Sequence, residues 1–118
     1  MKLLKNIYKN SPFFKIDGKT TFNSVGSIGV PNTGGIYFIS DFRGVLYIGK
    51  TENLNRRFKD HYWNTQNPRI AQVKKNPIGQ LEFSWMYVDF KDQTDKEKEL
   101  IQYFQPVCNH MLVNKGAI

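Results

Sequence analysis

The clearest hydrophobic pattern begins at Gly35. Gly35-Ile36-Tyr37-Phe38-Ile39-Ser40 and Val45-Leu46-Tyr47-Ile48-Gly49 are runs of β-branched and aromatic residues, the composition that strands favour. Asp41-Phe42-Arg43-Gly44 between them suits a short hairpin connection. Apolar residues fall on both faces of both runs, which predicts a sheet covered on each side. Leu54–Tyr62 follows with helical spacing, and Thr51 offers an N-cap. Pro68 opens a second short helix through Val73, stopped by Asn76-Pro77. Leu81–Asp89 alternates Leu81, Phe83, Trp85 and Tyr87 against Glu82, Ser84, Met86 and Val88, the period of a third strand. A last helix runs from Asp95 to Phe104 and ends at Pro106. The order strand pair, helix, helix, strand, helix predicts an α+β domain with a small three-stranded antiparallel central sheet flanked by helices.

Residues 1–33 carry none of this regularity and read as a basic N-terminal extension to a domain at 34–118. They hold Lys2, Lys5, Lys9, Lys15 and Lys19 against Asp17, and run into the loop-rich Gly26-Ser27-Ile28-Gly29-Val30-Pro31-Asn32-Thr33-Gly34. A short helix near Leu3–Tyr8 is only weakly marked. The chain has 118 residues, which suits one domain. Its 40% hydrophobic and 14% aromatic content can build a core without a disulfide or structural metal. Cys108 is the single cysteine, which excludes an internal disulfide and argues against a cysteine-based zinc site.

Charge narrows the class further. A formal net charge of +7 on so small a chain favours a polyanionic partner such as nucleic acid. A membrane surface is disfavoured, because no strongly basic amphipathic helix stands out. Met1-Lys2-Leu3-Leu4-Lys5 runs at once into charge without an apolar leader, so the expected location is the cytoplasm.

Gly35-Ile36-Tyr37 followed at hairpin spacing by Tyr47-Ile48-Gly49 resembles the motif pair that names the GIY-YIG nuclease family. The run from Tyr47 through Lys50, Asn55 and Arg56 to Arg57 is similar to that of the family's excision-repair subunit, which makes the 3′ incision. In this resemblance the family's arginine falls on Arg57. Its next site residue falls on His61, where homing endonucleases of the family also carry histidine. Glu97, Leu100-Ile101, Pro106 and Asn109 match the family's closing glutamate, helix, proline and asparagine. The resemblance covers about residues 34–110 and implies an endonuclease acting on DNA, with Mg²⁺ or Mn²⁺ as cofactor.

Helical geometry gives a separate view of these residues. Arg57 and His61 are four apart and share the arc of Leu54 and Phe58, where a basic residue needs either an ion pair or a function. Glu97 lies on the arc of Leu100, Ile101 and Phe104. A carboxylate there wants a partner, which a divalent cation could supply. Thr94-Asp95-Lys96-Glu97 is equally a capping box, in which Glu97 only bonds the Thr94 amide. Tyr37 and Tyr47 are ordinary sheet aromatics unless their hydroxyls converge near Arg57. Lys50 is a solvated lysine, or it lowers the Tyr47 phenol pKa by proximity.

The mechanism that the resemblance implies is a one-metal phosphodiester hydrolysis. Glu97 would hold the cation, Arg57 would clamp the phosphate, and Tyr47 would accept a proton from the attacking water. His61 and Lys50 would hold or deprotonate that phenol, Tyr37 would orient it, and Asn109 would brace the site. His61 as the base itself remains open. Lys50, Arg56, Arg57, Arg69, Lys74 and Lys75 are the candidate phosphate contacts. His110 reads as a turn or surface residue, and Trp63, Trp85 and Phe90 as core or interface rather than base-stacking platforms. The rival classes are a non-catalytic nucleic-acid-binding module and a structural or protein-interaction domain. Specificity would come from the N-terminal segment, the Asn64–Pro77 region, a partner protein or a dimer, or from single-stranded or branched DNA structure.

Overall fold

The computed structural model describes residues 14–109; the weak Leu3–Tyr8 helix and His110 lie outside them. Strands β1 (Gly18–Thr21), β2 (Gly35–Asp41), β3 (Gly44–Thr51) and β4 (Glu82–Met86) form one antiparallel sheet in the order β1-β4-β2-β3. A 3-10 turn spans Gly26–Gly29, and the α-helices are α1 (Leu54–Asn64), α2 (Pro68–Lys75) and α3 (Phe90–Phe104).

The α+β class stands, but the sheet has four strands rather than three. The added strand, β1, comes from the stretch expected to be an extension. Gly18-Lys19-Thr20-Thr21 carries no hydrophobic alternation, so pairing with β4 rather than pattern makes it a strand. Beyond the ladder, Asp17 N–H donates to Trp85 C=O at 2.8 Å and Phe22 N–H to Leu81 C=O at 2.9 Å. Gly18 itself is required, because a Cβ there would run into the indole of Trp85.

Period-2 alternation sends the strands' side chains into two cores. Tyr37, Ile39, Phe83 and Trp85 pack with Leu54, Phe58, Ile70 and Val73 beneath α1 and α2. Ile36, Phe38, Ile48 and Met86 pack with Leu100 beneath α3. This is the two-sided cover that the apolar runs predicted. Tyr37 stacks on Phe83 with ring centroids 5.3 Å apart, so one of the motif tyrosines is itself part of the core.

Two helix starts differ from expectation. Asn53, not Thr51, caps α1 and accepts from Arg56 N–H at 3.0 Å; Thr51 instead bonds Asn53 and shapes the approach. Helix α3 begins at Phe90 rather than Asp95, with Asp89 at its N-cap position making no side-chain cap bond. Buried Gln93 secures the entry by donating to Val88 C=O at 3.1 Å. Thr94 and Glu97 are therefore interior helix residues, and the capping-box reading of Glu97 falls away. Strand β4 is shorter than predicted: Tyr87 N–H turns to the Asp17 carboxylate at 2.8 Å, and the alternation ends there.

Candidate active site

The hairpin places the two motif tyrosines. In the β2–β3 ladder Tyr37 faces Gly49 and Ile39 faces Tyr47, so the tyrosines occupy one face on a diagonal. Their ring centroids are 6.0 Å apart. Gly49 is dictated by this arrangement, because a Cβ there would collide with the Tyr37 hydroxyl. Gly35 serves the other side of β2, where a Cβ would strike the Met86 carbonyl of β4. Asp41 folds the turn back by accepting from Arg43 N–H at 2.8 Å and pairing with its guanidinium at 2.6 Å.

Helix α1 supplies the opposite wall. Leu54, Phe58 and His61 are its buried residues, and that stripe presses the imidazole onto Tyr37. His61 Nε2 lies 2.8 Å from the Tyr37 hydroxyl, and Nδ1 lies 3.2 Å from Thr65 Oγ1. Arg57, read from the helix wheel as sharing the buried arc, sits at its rim with 44% of its side chain exposed and Asp60 3.8 Å away. The guanidinium is left accessible from a cleft of about 410 Å³ lined by Tyr47, Arg57, His61, Thr65, Gln66 and Asn67, among others.

Electrostatics give these groups distinct characters. Burial, reinforced by Arg57, pushes the His61 pKa down to about 4, so its imidazole is neutral near pH 7. Burial and the neighbouring Tyr47 hold the Tyr37 phenol well above its ordinary value. Tyr47 is also raised by burial, but a hydrogen bond from Tyr37 opposes that shift. Tyr47 is therefore the phenol better placed to ionise. Lys50 takes no part in this balance, contrary to the reading that it would acidify Tyr47. Three residues from Tyr47 along β3, it falls on the opposite face, and its ammonium donates to Thr94 on α3 at 3.1 Å.

The exposed edge of β3 organises the remaining residues. Ile48 turns its N–H and C=O away from β2, and both are taken by the side-chain amide of Asn109. By the same alternation the Lys50 N–H points outward, where it donates to the Glu97 carboxylate. Asn109 and Glu97 thus cover the two successive outward positions of an edge strand, which relieves its open pairing capacity. Burial raises the Glu97 pKa, opposed by Lys50. Glu97 forms no ion pair within 4 Å among the described residues, and its charge acts on both Tyr37 and Tyr47. A half-buried carboxylate facing phenols suits a divalent cation that restores its charge. No cluster of three His, Cys, Asp or Glu side chains exists among the described residues, so Glu97 would hold such a cation with most of its waters retained.

The structure thus brings Tyr37, Tyr47, Arg57, His61, Glu97 and Asn109 to one end of β3, with Lys50 bracing from behind. The proposed phosphate contacts are more scattered. Arg56, Arg69 and Lys75 are exposed. Lys74 is not free: its ammonium donates to Tyr62 C=O and lies 4.3 Å from the Tyr62 ring centroid. Trp85 is buried, whereas Trp63 and Phe90 are 65% and 71% exposed. Sequence reasoning passed over Thr65, and it read Thr94 as a helix cap rather than as the partner of the Lys50 ammonium. Thr65 lies four residues after His61, one helical turn, which is the signal that could have found it. Larger clefts of about 590 and 720 Å³ flank the start of α3, but acidic residues including Asp89 line both, the wrong sign for phosphate.

Comparison with known proteins identifies the family and the fold. A family model for the GIY-YIG catalytic domain matches residues 33–111. UvrABC system protein C of Lactobacillus delbrueckii subsp. bulgaricus is 32% identical over 82 residues, covering 68% of this chain and 13% of that protein. The chain therefore spans only a small part of the curated relative that it matches. The N-terminal GIY-YIG endonuclease domain of UvrC from Thermotoga maritima, solved with magnesium as its catalytic divalent cation, superposes with a TM-score of 0.57 at 18% identity. That match covers 70% of this chain and 89% of the other. EndoII of bacteriophage T4 covers more, 91% of this chain and 96% of its own, with a TM-score of 0.55 at 20% identity. At these identities the likeness to the solved structures is one of fold.

Proposed function

The chain belongs to the GIY-YIG family, and from that premise we propose that it is a metal-dependent endonuclease that hydrolyses DNA phosphodiester bonds, leaving 5′-phosphate and 3′-hydroxyl ends. The observation that carries the reading is one cleft that gathers the Tyr47 phenol, a neutral imidazole and an accessible guanidinium, with the buried Tyr37 phenol behind the imidazole and a half-buried carboxylate whose charge acts on both phenols. Arg57, exposed at the cleft rim, binds the scissile phosphate through its planar fork of donors. Having first lost its own proton to solvent, Tyr47 accepts the proton of the attacking water as a phenolate, and Tyr37 holds the Tyr47 oxygen by hydrogen bonding. Asn109 keeps β3, and with it Tyr47, in place. Bound on Glu97, Mg²⁺ or Mn²⁺ would stabilise the leaving oxygen and the charge developing on the phosphate. Arg56, Arg69 and Lys75 add sequence-independent attraction to the backbone. Specificity then comes from the N-terminal segment, the Asn64–Pro77 region, a partner protein or a second copy.

The test is cleavage of labelled single-stranded, duplex and branched DNA with Mg²⁺ or Mn²⁺, wild type against Glu97→Gln. Glutamine keeps an oxygen for the Lys50 amide but is a much poorer ligand for a hard cation. The expected result is cutting by the wild type into fragments that a ligase rejoins directly, and none by the folded variant. Equal cutting by the folded variant would remove Glu97 from the chemistry. Salt-sensitive binding without cutting by the wild type would instead make the domain a non-catalytic nucleic-acid-binding module.

A further inference from the structure

The hydrogen bonds around His61 form a chain whose direction follows from counting protons. We infer that the Thr65 hydroxyl holds His61 in its Nε2–H tautomer, making Thr65 a positioning residue and leaving Tyr47, rather than His61, as the proton acceptor of the site. The last step rests on the endonuclease reading above; the tautomer does not.

The count starts at the turn between α1 and α2. The Asn67 backbone amide donates to Thr65 Oγ1 at 3.2 Å, and a backbone N–H can only donate. The Thr65 hydroxyl has one proton of its own, and His61 Nδ1, 3.2 Å away, is its one acceptor among the described residues. A proton delivered to Nδ1 requires a lone pair there, so the neutral imidazole carries its hydrogen on Nε2. Nε2–H then donates to the Tyr37 oxygen across 2.8 Å. With that oxygen accepting from His61, the Tyr37 O–H is free to donate to Tyr47, the phenol with which it shares a hydrogen bond. Every bond in the chain runs toward Tyr47, and the Tyr47 proton is the only one that the chain does not use. The reverse direction would load two donors onto Thr65 Oγ1 and leave its own proton without a protein acceptor in a part-buried turn.

The charges agree with this direction. Burial keeps His61 neutral, so it donates one hydrogen without becoming a cation. Burial holds the Tyr37 phenol well above its ordinary value, which keeps its proton in place as the donor of that pair. In the forward chain a phenolate at Tyr47 is stabilised by Tyr37. In the reverse chain the proton of the attacking water would have to reach His61, whose burial makes it a weak sink.

The test is read first on the protein without metal or DNA. Long-range ¹H–¹⁵N correlation reports which ring nitrogen carries hydrogen, and His110→Gln leaves His61 as the only signal of the chain's 2 histidines. We expect Nε2 protonated and Nδ1 bare in that protein, a substantial Nδ1–H population in Thr65→Val, and return to Nε2–H in Thr65→Ser. A wild-type-like Thr65 protein in the Nδ1–H form, or a Thr65→Val spectrum with unchanged tautomer, overturns the inference. With DNA and metal, Thr65→Val should move the pH of half-maximal cleavage upward by about one unit, while Thr65→Ser leaves it in place. Arg57, Asp60, Glu97, Tyr37 and Cys108 face the two titrating groups and are unchanged in all three proteins. An unshifted profile in Thr65→Val overturns the assignment of Tyr47 as acceptor. Absence of cleavage in every protein overturns the endonuclease reading and that assignment with it, while the tautomer result stands by itself.

Discussion

The side chain of Asn109 pairs with Ile48 as a neighbouring strand would: Oδ1 accepts the Ile48 N–H at 2.9 Å and Nδ2 donates to the Ile48 C=O at 2.8 Å. Ile48 separates Tyr47 from Gly49, so this clamp fixes the strand that carries one phenol and accommodates the other. Asn109→Ala removes both bonds and should lower stability by about 1–2 kcal/mol. It should also slow cleavage by about tenfold, since small displacements of positioned groups cost rate steeply. Asn109→Asp keeps the acceptor and should lie between. Urea midpoints beside cleavage rates check this; an alanine variant at wild-type level in both would make the clamp idle.

Acid should weaken the fold in two separate windows. His61 is buried, and its pKa falls from an ordinary 6.5 to about 4. Between those values the unfolded chain binds more protons than the folded one, so stability is lost as pH falls from about 6.5 toward 4. The loss should approach about 3 kcal/mol. Asp41 is lowered to about 2 by Arg43 and by backbone donors, so its contribution is lost only as pH falls from about 3.8 through 2. Denaturant titrations from pH 7 to pH 4 should therefore flatten in His61→Phe but not in Asp41→Asn. An unchanged slope in His61→Phe would mean that another group carries the dependence.

How far the sequence foretold this site depends on the range of the interactions involved. The hairpin was legible because Ile36, Phe38, Val45 and Ile48 declare it locally, and the motif glycines sit where their Cβ atoms would collide. Strand β1 was not, because Gly18–Thr21 owes its conformation to β4, more than sixty residues away. The capping box at Thr94 failed for a similar reason. A good local signal lost to a longer helix, whose start is secured by Gln93 reaching Val88. Arg57 and His61 were correctly placed on one helix. The wheel could not tell rim from centre, since four residues advance the angle only slightly past a full turn. Thr65 escaped because a threonine after a helix normally reads as a terminator, and only the orientation of His61 gives its hydroxyl a role.

Arg57 separates chemistry from folding. Its side chain is 44% exposed and its Asp60 partner is 3.8 Å away, a pair that contributes little to stability. Arg57→Ala should leave the melting curve within about 0.5 kcal/mol of wild type, yet reduce cleavage by about 10²-fold or more. Arg57→Lys retains the charge but not the planar fork and should recover only a small part. A folded alanine variant that cuts at the wild-type rate would place the phosphate contact elsewhere.

Lys74 and Arg69 lie on the same short helix and should fail in opposite ways. The Lys74 ammonium is held by the Tyr62 carbonyl and covers the Tyr62 ring, tying α2 to α1. Arg69 is exposed near the start of α2, and its amide rather than its guanidinium is engaged by the Asn67 cap. Lys74→Ala should therefore destabilise the protein by about 1 kcal/mol without altering how DNA binding depends on salt. Arg69→Ala should leave stability unchanged and reduce the slope of log affinity against log salt by about 1. Binding isotherms at several salt concentrations, set beside melting curves, distinguish the two. A reduced slope in Lys74→Ala would show that its ammonium leaves Tyr62 when DNA binds. An unchanged slope in Arg69→Ala would remove the start of α2 from the nucleic-acid path.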